Sequence, residues 1–114
     1  MTRITGQNFI GGQRSSAGTV HLQSVDASTG EALPCHFVQA TEAEVDAAAL
    51  AASAAFPVFR SLPAARRADF LEAIADELDA LADDFVTIVC RETALPAARI
   101  LGERARTSGQ MRLF

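Results

Sequence analysis

At 114 residues the chain has the size of one small domain, enough to bury a modest core. That core is expected to be thin, because Trp and Tyr are absent and alanine supplies much of the 49% hydrophobic fraction. The net charge is −4, with arginine as the sole basic residue type and both signs interspersed; this argues against a nucleic-acid surface, and the absence of lysine excludes P-loop, Schiff-base and lysine general-base chemistry.

The first forty residues read as extended. Asn8-Phe9-Ile10 and Thr19 to Val25 are strand candidates separated by Gly11-Gly12 and Ser15-Ser16-Ala17-Gly18, the pattern of a hairpin with a longer loop. Asp26-Ala27-Ser28-Thr29-Gly30-Glu31 predicts a turn, since Asp and Ser bond nearby amides and Gly30 tolerates a positive φ. Cys35 to Gln39 is a third extended run.

The period changes at Thr41. Thr41-Glu42-Ala43-Glu44 has capping-box form, and Val45, Ala48, Ala49, Ala52 and Phe56 recur at helical spacing. Pro57 is expected to end this helix, placing it at about Glu42 to Phe56. Ser61-Leu62-Pro63 starts a second helix with the apolar stripe Ala64, Ala68, Leu71, Ile74, Ala75 and Leu78, in which only Arg67 is charged. Asp76, Glu77, Asp79, Asp83 and Asp84 lie mostly on other faces and read as a solvated surface. Phe85, Ile88 and Val89 mark a third helix towards Thr93, and Pro96 opens a fourth at about Ala97 containing Ile100, Leu101, Ala105, Met111 and Phe114. With no C-cap glycine or polar tail after Phe114, the chain reads as stopping in mid-helix. The faces around Ile74, Leu78, Ile100 and Met111 look suited to elements outside the chain.

Four segments in register carry a resemblance. Phe9-Ile10-Gly11-Gly12-Gln13, the turn from Asp26 to Glu31, the helix from Glu44 through Phe56-Pro57, and Ala65-Arg66-Arg67-Ala68 through Arg91-Glu92-Thr93 resemble the N-terminus of the aldehyde dehydrogenase superfamily. Arg91-Glu92-Thr93-Ala94-Leu95-Pro96, followed by Gly102-Glu103-Arg104 and Arg106-Thr107-Ser108-Gly109-Gln110-Met111, looks most like the 2-oxoglutarate-semialdehyde (2,5-dioxovalerate) dehydrogenase branch. Two departures stand out: Asp26-Ala27 occupies a common Asn-Pro, and Ala94-Leu95 occupies the Gly-Lys of a common Glu-Thr-Gly-Lys. The second removes the glycine that commonly ends the helix before Pro96.

The resemblance implies an α/β parent fold, of which residues 1–114 would be an incomplete N-terminal part of the NAD(P)-binding domain, with 1–40 a β-hairpin region and 41–114 about four helices. It further implies a homo-oligomer that uses NAD or NADP to oxidise a small carboxylated aldehyde such as 2-oxoglutarate semialdehyde, and the unpaired cysteines and polar N-terminus read as cytoplasmic. Family members run to several hundred residues, so the chain reads as a fragment whose partner is the rest of the dehydrogenase. No catalytic, cofactor-binding or metal residue is expected within it, and the fragment alone is expected to be inactive and to bind no cofactor. The alternative is a free-standing, non-enzymatic β-plus-helical interaction module.

Individual candidates support that restraint. Cys35 and Cys90 lack CxxC or metal-ligand spacing and read as buried small hydrophobes in a reducing compartment. His21 and His36 are separate and read as surface or strand-edge residues. Gly102 and Gly109 do not make a GxGxxG motif and instead suggest close helix contact. Arg99 and Glu103 should pair as i,i+4 neighbours. Arg106 and Gln110, also one helical turn apart, present a cation and an amide able to hold a substrate carboxylate. The polar N-terminus and the absence of a long apolar run predict no membrane association.

Overall fold

The computed structural model describes residues 4–114. They form β1 (Asn8–Ile10), β2 (Gln13–Ser15), β3 (His21–Val25), β4 (Ala32–Val38), α1 (Glu42–Ser61), α2 (Ala64–Asp79), α3 (Asp83–Thr93) and α4 (Ala97–Leu113). The described residues divide into two compact units: one takes residues 4–24 together with Ala32–Ser61, and the other joins Val25–Glu31 to Leu62–Phe114.

In the first unit the strand pairing departs from the sequence reading. Asn8–Ile10 pairs not with the segment after residue 19 but with Gln13–Ser15, in the antiparallel register Asn8↔Ser15, Phe9↔Arg14 and Ile10↔Gln13. The reason is the Gly11-Gly12 turn, where both residues take positive φ, 57° and 78°. Two consecutive left-handed residues suit the strand twist, so a two-residue turn wins over a longer loop. β3 pairs with β4 instead. At Gly18, an added Cβ would collide with the Gln39 carbonyl, so the approach to β3 needs glycine.

The capping box at the start of α1 forms as its spacing predicts. The Glu44 amide donates to the Thr41 hydroxyl (3.2 Å), and the Thr41 amide donates to the Glu44 carboxylate (2.9 Å). Pro57, however, does not end the helix, which continues to Ser61. Proline already has a helical φ, and the Ser53 carbonyl that loses its amide partner lies in an exposed stretch where water can reach it. The Ser61 hydroxyl donates to the Val58 carbonyl (2.8 Å) at the actual end.

In the second unit α4 packs on α2 and α3. Ala75 is fully buried, Ile100 and Val86 are buried, and Ser108 is 2% exposed. Ser108 turns its hydroxyl back onto its own helix, donating to the Arg104 carbonyl at 3.1 Å, so a polar residue is buried without an unsatisfied group. Ile74, Leu78 and Met111, expected to face missing elements, are half-buried within this unit. Large exposed apolar side chains lie beside them in the same unit, among them Phe70, Leu81 and Leu101, and also on α1, at Leu50, Phe56 and Val58. The acidic face of α2 is also not simply solvated: Arg112 of α4 reaches Asp76 and Asp79, each at 2.8 Å.

The turn after β3 is built as predicted and then anchored. Asp26 Oδ1 accepts the Ser28 and Thr29 amides (2.9 and 3.3 Å), and Gly30 has φ 74°. Its other carboxylate oxygen receives Arg91 Nε at 3.0 Å, while the Ala27 amide donates to the Arg91 carbonyl at 2.8 Å. The Arg91 hydrogen bond, followed by the Ser28 amide, holds the Asp26 carboxyl below its ordinary range. The turn is thereby tied to the last turn of α3.

α3 ends without glycine. Ala94 takes the left-handed conformation itself (φ 59°, ψ 16°) and its amide caps the Cys90 carbonyl at 2.8 Å, so the break before Pro96 survives the substitution. Gly102 and Gly109 also correct an expectation: a Cβ at either meets nothing within 4 Å, so neither marks close helix contact. These positions carry opposite mismatches of residue and backbone. Ala94→Gly should relieve left-handed strain, and Gly109→Ala should reduce chain entropy lost in a helix, each adding about 0.5–1 kcal/mol to stability. Urea unfolding of both variants would check this, and a loss of stability in Gly109→Ala would show that its face is covered.

Candidate functional site

α4 presents two unlike faces. Ile100 and Ser108 are buried and Arg104 and Met111 half-buried on one side, while Arg99, Gly102, Glu103, Arg106, Gly109, Gln110 and Leu113 are all exposed. At 100° per residue the exposed set falls within one continuous arc centred near Arg106. Both residues singled out for a carboxylate, Arg106 and Gln110, therefore lie together on the open side, one turn apart, as their spacing predicts.

The charge arrangement around them leaves Arg106 uncommitted. Glu103, the nearest carboxylate along the helix, is engaged by Arg99 at 2.8 Å, the pair expected from sequence. Among the described residues, Arg66, Arg91, Arg99 and Arg112 make salt bridges. Arg67 and Arg104 donate to the Leu62 and Leu81 carbonyls. Arg14 and Arg60 lie over Phe9 and Phe56. Arg106 has no such partner among the described residues. Gly102 and Gly109 stand four residues before and three after it, so on one side the arc beside Arg106 carries no side chain, while Glu103 and Gln110 flank it on the other. A planar carboxylate could approach the guanidinium fork unobstructed, with the Gln110 amide offering a further donor.

The two cysteines and the most perturbed carboxylate have structural surroundings. Cys35 and Cys90 are free and half-buried, more open than the buried hydrophobes expected. The Cys35 sulfur sits 3.9 Å from the Ile4 and His36 carbonyls, which are acceptors and not bases that would activate it. The most strongly perturbed carboxylate is Glu44. The Ser15 hydroxyl, the Thr41 amide and the Ala17 amide together lower its pKa from 4.5 to about 2. With its oxygens occupied by donors and its pKa so low, Glu44 is a structural anchor and a poor proton acceptor. Sequence spacing revealed the Thr41 half of this arrangement; Ser15 and Ala17, nearly thirty residues away, left no local signal.

The second unit also has a concavity of about 440 Å³, lined by Phe70, Ala73, Ile74, Glu77, Leu78 and Leu81. It contains neither Arg106 nor Gln110, and Glu77 is its only ionisable group. The residues present also do not suit a dinucleotide: α2 and α4 start behind Pro63 and Pro96, and no glycine-rich strand-to-helix turn leads into any of the four helices. Among the described residues no helix is long and apolar enough to cross a membrane.

Comparison with known proteins places these features in context. The profile of the aldehyde dehydrogenase family matches residues 14–114. The chain is 43% identical over 113 residues, 98% of its length, to alpha-ketoglutaric semialdehyde dehydrogenase 2 of Azospirillum brasilense. It is 39% identical over all 114 residues to alpha-ketoglutaric semialdehyde dehydrogenase of Acinetobacter baylyi. A 40% match over 73 residues, 64% of the chain, links it to 2-aminomuconic semialdehyde dehydrogenase of Bos taurus. The chain spans 22% of the length of each bacterial relative and 15% of the bovine one.

Proposed function

The chain belongs to the aldehyde dehydrogenase family, and from that premise we propose that it is the N-terminal part of an enzyme oxidising a small carboxylated aldehyde of the alpha-ketoglutaric semialdehyde type. The observation that carries the substrate class is the uncommitted Arg106 on the open face of α4, with Gln110 one turn away. All three relatives are named for semialdehydes, molecules with an aldehyde at one end and a carboxylate at the other. Arginine offers a planar fork to such a carboxylate where lysine would offer a point charge.

On this reading Arg106 and Gln110 hold the distal carboxylate and orient the aldehyde, while the catalytic cysteine and the dinucleotide site belong to the remainder of the enzyme. NAD or NADP would supply the hydride acceptor there. The chain alone would neither bind that cofactor nor turn over substrate. The whole enzyme would be a homo-oligomer in the cytoplasm, a reducing compartment with which the two free thiols accord.

The test is direct. The full-length protein containing this chain should reduce NAD or NADP in the presence of alpha-ketoglutaric semialdehyde, seen as nicotinamide absorbance, and the 114-residue chain should give no signal. Activity only on aldehydes lacking a carboxylate would overturn the substrate class. Turnover by the isolated chain, lost on Cys35→Ser or Cys90→Ser, would overturn the division of labour.

A further inference from the structure

The sequence leaves His21 and His36 apart, but the pairing of β3 with β4 brings them together. Their ring centroids are 6.4 Å apart and the rings stand edge to face at 80°. They are the chain's only histidines, and both are exposed. We propose that this cross-strand pair is a two-imidazole chelate for a borderline-soft divalent transition-metal ion, of which Ni²⁺ and Cu²⁺ are suitable probes.

Three features carry the proposal. The hydrogen-bonded strands hold the two residues side by side, so binding requires no loop to close around the ion. Both side chains face solvent, so each ring is free to rotate and bring one nitrogen to the roughly 2 Å distance that imidazole–metal bonds need. The donor set is nitrogen alone, which favours Cu²⁺ and Ni²⁺ over Mg²⁺ or Ca²⁺. The neighbouring Cys35 is not part of it, because its sulfur lies towards the Ile4 carbonyl. Among the described residues no third His, Cys, Asp or Glu joins the pair, so water would complete the coordination and the ion would exchange readily.

The experiment uses the tag-free full-length protein, labelled in its histidine rings, with Ni²⁺ as a paramagnetic probe. The ring signals of His21 and His36 are assigned by substituting each in turn. A contact between the rings should appear in a nuclear Overhauser spectrum before metal is added. Ni²⁺ should then broaden both rings together with one-to-one stoichiometry, and excess Mg²⁺ should not. His21→Ala and His36→Ala should each weaken binding at least tenfold, and a chelator should restore both signals. His21→Gln, which keeps a polar side chain at the site, separates loss of a ligand from loss of the fold. Broadening of one ring without the other, or unchanged affinity in either alanine variant, would overturn the chelate. The Arg106 reading does not depend on this result, since neither histidine belongs to it.

Discussion

Replacing Arg106 with alanine in the full-length protein is expected to lower kcat/KM for alpha-ketoglutaric semialdehyde by roughly ten- to a hundredfold. That factor corresponds to about 1.5–3 kcal/mol for a hydrogen bond to a charged group. A neutral aldehyde of similar length should be nearly unaffected. The comparison is informative because a folding defect lowers both rates together, whereas a lost carboxylate partner lowers only one. Arg106→Lys should fall between the two, keeping the charge but losing the fork. Gln110→Ala should show a smaller loss with the same selectivity, because a neutral amide makes a weaker bond to a carboxylate than a guanidinium does. If Arg106→Ala costs both substrates equally, or neither, Arg106 returns to being a solvated residue on an exposed helix face, where Arg99 and Glu103 already lie.

Glu44→Ala should destabilise the first unit more than any other carboxylate substitution there. The side chain is 6% exposed and receives the Ser15 hydroxyl, the Ala17 amide (3.1 Å) and the Thr41 amide (2.9 Å). Removing it leaves the half-buried Ser15 and Thr41 donors without their acceptor and breaks the link between the β2 region and the start of α1. Thermal unfolding followed by circular dichroism should show a melting temperature lowered by several degrees. Exposed Glu42, in the same first turn, should shift it by less than about 2 °C when changed to alanine. The pH dependence has a definite sign. The folded carboxyl titrates near 2 against an ordinary value of 4.5, so its contribution is complete above about 4.5 and disappears as pH falls through about 2. In Glu44→Gln that part of the acid sensitivity should be absent. Equal melting temperatures for Glu44→Ala and Glu42→Ala would mean that the hydrogen bonds to Glu44 stabilise no more than water does.

What could be read from the sequence alone shares one property: it depends on residues within about four positions of one another. The Thr41–Glu44 box, the Asp26 turn, proline before α2 and α4, and the Arg99–Glu103 pair are set by local spacing, and all four formed as read. The α2 stripe is similarly local: Arg67, Ala68, Leu71, Ile74, Ala75 and Leu78 are buried or half-buried as the helical period requires, and Ala64, at the helix start, is exposed. The position of Arg106 and Gln110 on one face follows from that same period. That the face is open and its arginine uncommitted does not, since it depends on where every other charge is spent.

The tertiary structure decided whatever depended on partners distant in sequence. Local signals marked extended segments but did not say which strands pair, because a two-residue glycine turn and a longer loop can satisfy the same residues. Pro57 was tolerated because solvent could take over its lost hydrogen bond. Asp26 found Arg91, Glu44 found Ser15, and His21 came to lie beside His36 through chain paths that no local spacing encodes. Short-range geometry is fixed by bond lengths and the helical repeat and so is written into spacing. Long-range pairing is chosen by competition among whole arrangements, and is settled only when burial and hydrogen bonding are satisfied together.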